Sequence, residues 1–194
     1  MAIRAIFICA VVLLVFNVPI VAFQDSDTFY YTYGFKEFGA VSGFQWGNLK
    51  NKDHYEVIPL MLHFGFDLRP LIKNKSNILL EFLLKPFINS VTNPDDGAEI
   101  GNNFILKFAV PIKERIYPYI EGGCGLIYLT QDISQQATRF NFTSQLGAGI
   151  TYFLKKNLNL SIGYRYRHVS NASIKRPNNG IDTNCVIGGI SFLY

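Results

Sequence analysis

FNFTSQLGAGITYFL, residues 140–154, separates by parity. Its even positions are Phe140, Phe142, Ser144, Leu146, Ala148, Ile150, Tyr152 and Leu154, while Asn141, Thr143, Gln145, Gly147, Gly149 and Thr151 fill the odd ones. One oily face and one polar face at a period of two residues is the geometry of a β-strand. Residues 158–167 repeat the pattern, with Leu158, Leu160, Ile162, Tyr164 and Tyr166 opposed to Asn159, Ser161, Gly163, Arg165 and Arg167. Two arginines on one strand face need water or partners, so that face is assigned to a polar lumen.

Working outward, similar segments fall at about 37–47, 55–68, 77–88, 99–112, 116–129, 140–154, 158–168 and 181–194. The connections are expected to be long at 48–54, 89–98, 130–139 and 169–180, medium at 69–76, and tight at 113–115 and 155–157. This spacing predicts an all-β fold, an eight-stranded antiparallel transmembrane β-barrel of the outer membrane. Charged residues make up 16% of the chain and aromatics 15%, against about 25% charged in an average soluble domain. Beyond the N-terminus no window of 18 uncharged apolar residues exists, so a membrane location requires a closed barrel, which leaves no sheet edge unpaired in hydrocarbon. A soluble lipocalin-type barrel would show the same alternation turned inside out. The arginine-bearing face, the N-terminal leader and the aromatic end of the chain favour the membrane form.

That leader is MAIR, carrying Arg4, followed by the apolar AIFICAVVLLVF and then VPIVA ending at Ala22. It reads as a cleaved secretory signal over 1–22, leaving residues 23–194 as the barrel domain. The rival, a membrane anchor over Ala5 to Phe23, is disfavoured by Asn17, Pro19 and the lack of a basic stop-transfer flank. At the other terminus Ile190, Phe192 and Tyr194 share a face, resembling the aromatic-ended insertion signal of outer-membrane barrels. Removing the leader takes away one charge, Arg4, and leaves a net charge of about +3 without a basic run, so a nucleic-acid partner is not indicated.

With the tight turns placed on the periplasmic side, strand 158–168 runs outward and the loop carrying NASIKRPNNG is extracellular. By parity His168 and Ser170 continue the lipid-facing series, and Asp182 joins Ile190, Phe192 and Tyr194 on the outer face of the last strand. Three polar groups would then point at the outer leaflet, a poor place for ordinary surface residues. At i and i+2, His168 and Ser170 lie about 6.5 Å apart at Cα, and Asp182 comes from the neighbouring strand at contact range. Serine ester hydrolysis needs these groups: a nucleophile, an imidazole to take its proton, an acid to orient the imidazole, and donors for the oxyanion. Asn171, Asn178, Asn179 and the backbone around Gly180 are the available donors.

The run His168, Ser170, Asn171, Ala172, then Pro177, Asn178, Gly180 and an acid resembles the signature of the lipid A 3-O-deacylase (PagL-like) family, whose barrels carry a Ser-His-Glu triad on the outside wall. The likeness extends from about residue 116 through YPYIEGGCGL and FNFTSQLGAGITYFLKKNLNLSIGYRYRH. The resemblance implies Ser170 as nucleophile, His168 as base, Asp182 as orienting acid where the family has Glu, and Asn178 as the favoured oxyanion donor. It implies removal of an ester-linked acyl chain, at the 3-position, from the lipid A of lipopolysaccharide; the serine ester chemistry itself requires no cofactor. The alternatives are a non-enzymatic structural or adhesin-like barrel and a phospholipase-like esterase. Lys175 and Arg176 stand where lipopolysaccharide phosphates would be reachable. His54, in a loop, and His63, in a strand, have no nearby serine and acid and read as structural. Cys124 and Cys185 fall on opposite faces and are not expected to pair, and no ligand cluster indicates a metal.

Overall fold

The computed structural model describes residues 34, 36–50, 53–74 and 77–194; the 1–22 leader lies outside them. Nine strands are present among these residues: β1 (Lys36–Asn48), β2 (His54–Ile58), β3 (Leu60–Asp67), β4 (Leu79–Asn93), β5 (Gly97–Ala109), β6 (Ile116–Leu129), β7 (Phe140–Lys155), β8 (Leu158–Ser170) and β9 (Ile181–Leu193). β2 and β3 together form one stave between β1 and β4, interrupted at Pro59, where proline has no N–H to give the ladder. Eight staves result, all antiparallel, and β1 pairs with β9 from Glu37↔Leu193 to Gly47↔Thr183, closing the barrel.

The expected long loop at 89–98 is instead strand. β4 continues to Asn93 and β5 begins at Gly97, in register from Leu79↔Ala109 to Val91↔Gly97, leaving 94–96 as the turn. Asn89, Ser90 and Thr92 look loop-like by composition, but Asn89 is buried inward and Val91 follows it on the same face. Tertiary pairing overrides the low strand propensity of the asparagines. His54 likewise starts β2 rather than lying in a loop, its Nδ1 3.2 Å from Asn48 Oδ1.

Parity decides the faces as the sequence predicts. Leu146, Ile150, Leu160, Ile162, Tyr164 and Tyr166 are all exposed on the outer wall, while Gln145, Arg165 and Arg167 are buried inside. The barrel is therefore oily outside and polar within, the arrangement suited to a hydrocarbon surround and opposite to that of a soluble lipocalin-type barrel. No helix among the described residues is long and apolar enough to cross a membrane.

The interior is packed rather than open. At mid-height Glu121 Oε2 accepts from Lys85 Nζ at 3.1 Å and its Oε1 from Arg165 Nε at 3.0 Å. Glu99 takes both Nη groups of Arg167 at 2.7 Å, together with Asn89 Nδ2 and the Tyr55 hydroxyl at 2.8 Å each. Lys107 meets Glu81 at 3.2 Å, and buried His63 stands 3.4 Å from Glu37. Apolar clusters close this polar layer at both ends: Tyr55, Val57, Val91, Leu129, Val169 and Ile181 among others on one side, and Leu79, Ala109, Tyr117, Tyr119, Phe153 and Leu193 on the other. Among the described residues the inward Lys85, Lys107, Arg165 and Arg167 thus each have a carboxylate close by, which a low-dielectric interior demands.

Candidate active site

β8 and β9 place His168 directly opposite Asp182. Both side chains leave the outer wall, and His168 Nδ1 lies 2.6 Å from Asp182 Oδ1. The pair is partly open, with side-chain exposures of 41% and 58%. Cross-strand neighbours on one face have Cβ atoms about 5 Å apart, so an aspartate suffices to reach the ring without the extra methylene of a glutamate. With Nδ1–H donated to the carboxylate, Nε2 is left with its lone pair free to accept a proton.

Ser170 stands one rung beyond His168 on the same face, opposite Phe142 of β7, and is half-buried. Its hydroxyl makes no hydrogen bond among the described residues, so it is free to rotate toward His168 Nε2. The rung beneath this pair is anchored from inside: Arg167, between Tyr166 and His168 in sequence, points into the barrel and is clamped by both oxygens of Glu99. A bidentate pair of that kind fixes the height and direction of the strand that carries the imidazole.

The loop 171–180 is held in one shape by its own asparagines. Asn171 is fully buried; its Nδ2 donates to the carbonyls of Lys175 at 2.8 Å and Pro177 at 3.4 Å, and its backbone N–H donates to Asn178 Oδ1 at 2.9 Å. The amide hydrogens of Asn171 are therefore spent on the loop. Asn178 has its oxygen engaged and its Nδ2 without a partner among the described residues, leaving that nitrogen as the available donor. Ala172 at φ 52° and Ser173 at φ 65° bend the chain through the left-handed region.

Gly180 closes the loop at φ +77°, and a Cβ built there would lie 2.6 Å from His168 Cε1. Both the backbone angle and the imidazole require glycine. Gly180 thus packs against the edge of the ring, a role that its place in a turn motif does not reveal. The neighbouring loop 130–139 supports this arrangement. Gln136 bridges to Asn178, Ala137 N–H donates to the Pro177 carbonyl at 2.9 Å, and Asn179 N–H donates to the Gln135 carbonyl at 2.9 Å. From the β1–β2 turn Lys50 Nζ reaches Asn179 Oδ1 at 2.9 Å. On the outer part of the supporting loop Arg139 pairs with Asp132 at 3.1 Å and holds its carboxyl below the usual carboxylate range.

Lys175 and Arg176 lie exposed at the tip of the loop. His63 is inside the barrel, far in role from this outward face, and Cys124 and Cys185 are both free thiols. No grouping of three or more His, Cys, Asp or Glu able to hold a metal occurs among the described residues.

A family model described as lipid A 3-O-deacylase (PagL) matches residues 42–190. The lipid A deacylase PagL of Pseudomonas aeruginosa is 35% identical over 83 residues, covering 41% of this chain and 44% of that protein, so the chain aligns with less than half of that relative's length. The crystal structure of the outer membrane enzyme PagL superimposes with a TM-score of 0.58 at 19% identity, covering 79% of this chain and 97% of that one. Neisserial surface protein A gives a TM-score of 0.58 at 12% identity, covering 82% and 97%. Both structural matches show a shared barrel fold.

Proposed function

The chain belongs to the lipid A 3-O-deacylase (PagL) family, and from that premise we propose that it is an outer-membrane serine esterase that removes an ester-linked acyl chain, the 3-O chain, from lipid A of lipopolysaccharide. The observation that carries this reading is the 2.6 Å contact of His168 Nδ1 with Asp182 Oδ1 on the outer wall, with the unengaged Ser170 hydroxyl on the same face. A catalytic acid-base pair facing lipid rather than water suits an ester whose acyl chain stays in the membrane.

In this mechanism His168 Nε2 takes the Ser170 proton as Oγ attacks the ester carbonyl carbon. The imidazolium so formed is stabilised by Asp182 through the Nδ1–H bond. Asn178 Nδ2–H is directed at the developing oxyanion, its orientation set by the Asn171 N–H that occupies its oxygen. The tetrahedral intermediate collapses by breaking the bond to the sugar oxygen, which receives the proton from His168. Water, deprotonated by the same imidazole, then releases the fatty acid from Ser170. No step requires a cofactor. Turning the serine side chain into line with Nε2 is a rotamer change, and catalytic contacts of this type commonly tighten only when substrate is bound.

The cationic tip of the loop, Lys175 and Arg176, supports an anionic headgroup as substrate. Residues 1–22 serve in this reading as the secretion signal that brings the barrel to the outer membrane. Mass spectrometry of lipid A from cells with and without the protein tests the assignment. Loss of one ester-linked acyl chain supports it. Unchanged lipid A together with altered phospholipids would move the same triad to a phospholipase, and no lipid change at all would leave a non-enzymatic barrel.

A further inference from the structure

The outward face of β8 carries two tyrosines, Tyr164 and Tyr166, each at the same offset from a polar residue of β9. Tyr164 and Tyr166 pair in register with Val186 and Asn184, and His168 pairs with Asp182. Each tyrosine is thus one rung below a polar residue on the facing strand: Tyr164 below Asn184, Tyr166 below Asp182. The Tyr164 hydroxyl donates diagonally to Asn184 Oδ1. Tyr166 stands in the same diagonal relation to Asp182, which pairs with His168 on the next same-face rung. Diagonal neighbours on one sheet face are about 7–8 Å apart at Cα, a span that a tyrosine bridges.

Asp182 therefore has a polar neighbour on two sides. His168 occupies one side at 2.6 Å, and Tyr166 stands on the rung nearer the middle of the barrel. On that side the surroundings are apolar, with Val186 and Ile162 exposed on the wall below. Water is scarce there, and a carboxylate that is more than half open needs a fixed donor to keep its direction toward the imidazole. Aspartate has a shorter arm than glutamate, so its oxygens cannot swing to recover the contact if they drift.

We infer that Tyr166 is a positioning residue for the catalytic pair: its hydroxyl holds the Asp182 carboxylate in line with His168 Nδ1. The inference rests on the triad reading given above. It differs from a general girdle role for an interfacial tyrosine, which would affect insertion and stability but not the geometry of the imidazole bond.

The experiment uses the full-length barrel refolded in detergent and compares Tyr166→Phe, Asp182→Asn and the double variant with wild type. Turnover is followed on lipopolysaccharide, and proton NMR follows the His168 Nδ1–H, which a short bond to a carboxylate shifts downfield. Tyr166→Phe is expected to keep the heat-modifiable migration of a folded barrel. It should lower kcat roughly tenfold, the scale of one net hydrogen bond, with KM unchanged, and move the Nδ1–H resonance upfield. In the Asp182→Asn background the same change should cost nothing further, since the group it positions is already gone. Equal losses in both backgrounds would overturn the inference, as would an unmoved resonance in folded Tyr166→Phe. An inactive wild type would sink the esterase reading alone, because the resonance still decides whether Tyr166 positions Asp182.

Discussion

Asp182 faces His168 across a single rung of the β8–β9 ladder, and their side chains meet at 2.6 Å on the outside of the barrel. The contact joins residues 14 apart in sequence across a ten-residue loop. Because the pair is built into regular strand geometry rather than into a loop, it is held by the whole sheet. Substitutions in the loop and in the barrel interior therefore have separable consequences.

Ser170→Ala should leave barrel migration on gels unchanged, since a hydroxyl without a partner contributes little to packing. It should reduce ester release by several orders of magnitude, as removal of a nucleophile does. Asp182→Asn should fall between wild type and Ser170→Ala, and Asp182→Glu should retain or raise activity. Unchanged lipid A processing by folded Ser170→Ala protein would exclude the serine mechanism.

Asn178→Ala removes the donor assigned to the oxyanion and should cost roughly 10²–10³ in kcat, the range found for loss of one such donor. Asn178→Asp keeps the oxygen that receives the Asn171 N–H but replaces the donor by a repelling charge, so it should be at least as damaging. Steady-state kinetics on the two variants would refute the assignment if Asn178→Asp were near wild type.

Gly180→Ala forces a methyl to within 2.6 Å of His168 Cε1 at φ +77°. The ring must move or the loop must open, so activity should fall at least tenfold while the barrel, whose pairing begins at Ile181, stays intact. A Gly180→Ala protein with wild-type kcat would show that the imidazole tolerates displacement.

Glu121→Gln leaves Lys85 and Arg165 facing each other without their shared carboxylate. Breaking a buried pair in this way typically costs about 3–5 kcal/mol. Urea titration of the refolded barrel should show a lowered midpoint, with the His168 region unaffected in those molecules that remain folded. A midpoint equal to wild type would mean that the interior is more hydrated than its packing implies.

Cysteines introduced at positions 150 and 162, where outward-facing Ile150 and Ile162 now stand, should resist aqueous maleimide in intact membranes. A cysteine in place of exposed Lys175 provides the accessible control. Ready labelling of both wall positions would contradict a lipid-facing outer surface.

Period-two alternation is a local property of extended backbone, and for that reason the sequence alone determined the strands from 140 onward and the shared face of His168, Ser170 and Asp182. One polar face with arginines and one oily face was enough to say which side looked inward. Elsewhere local signals failed. NSVTN at 89–93 reads as loop by composition but pairs as strand, and Pro59 splits the strand expected over 55–68 into β2 and β3. The partners of the inward charges were beyond reach of sequence, since Glu121 meets Arg165 over 44 residues and Glu99 meets Arg167 over 68. Those meetings depend on barrel closure and on the stagger between staves. The same is true of Gly180 against the imidazole and of the Asn178 amide turned by Asn171. Which side chains share a face follows from counting along the chain; which of them touch is decided by the register in which the sheet closes on itself.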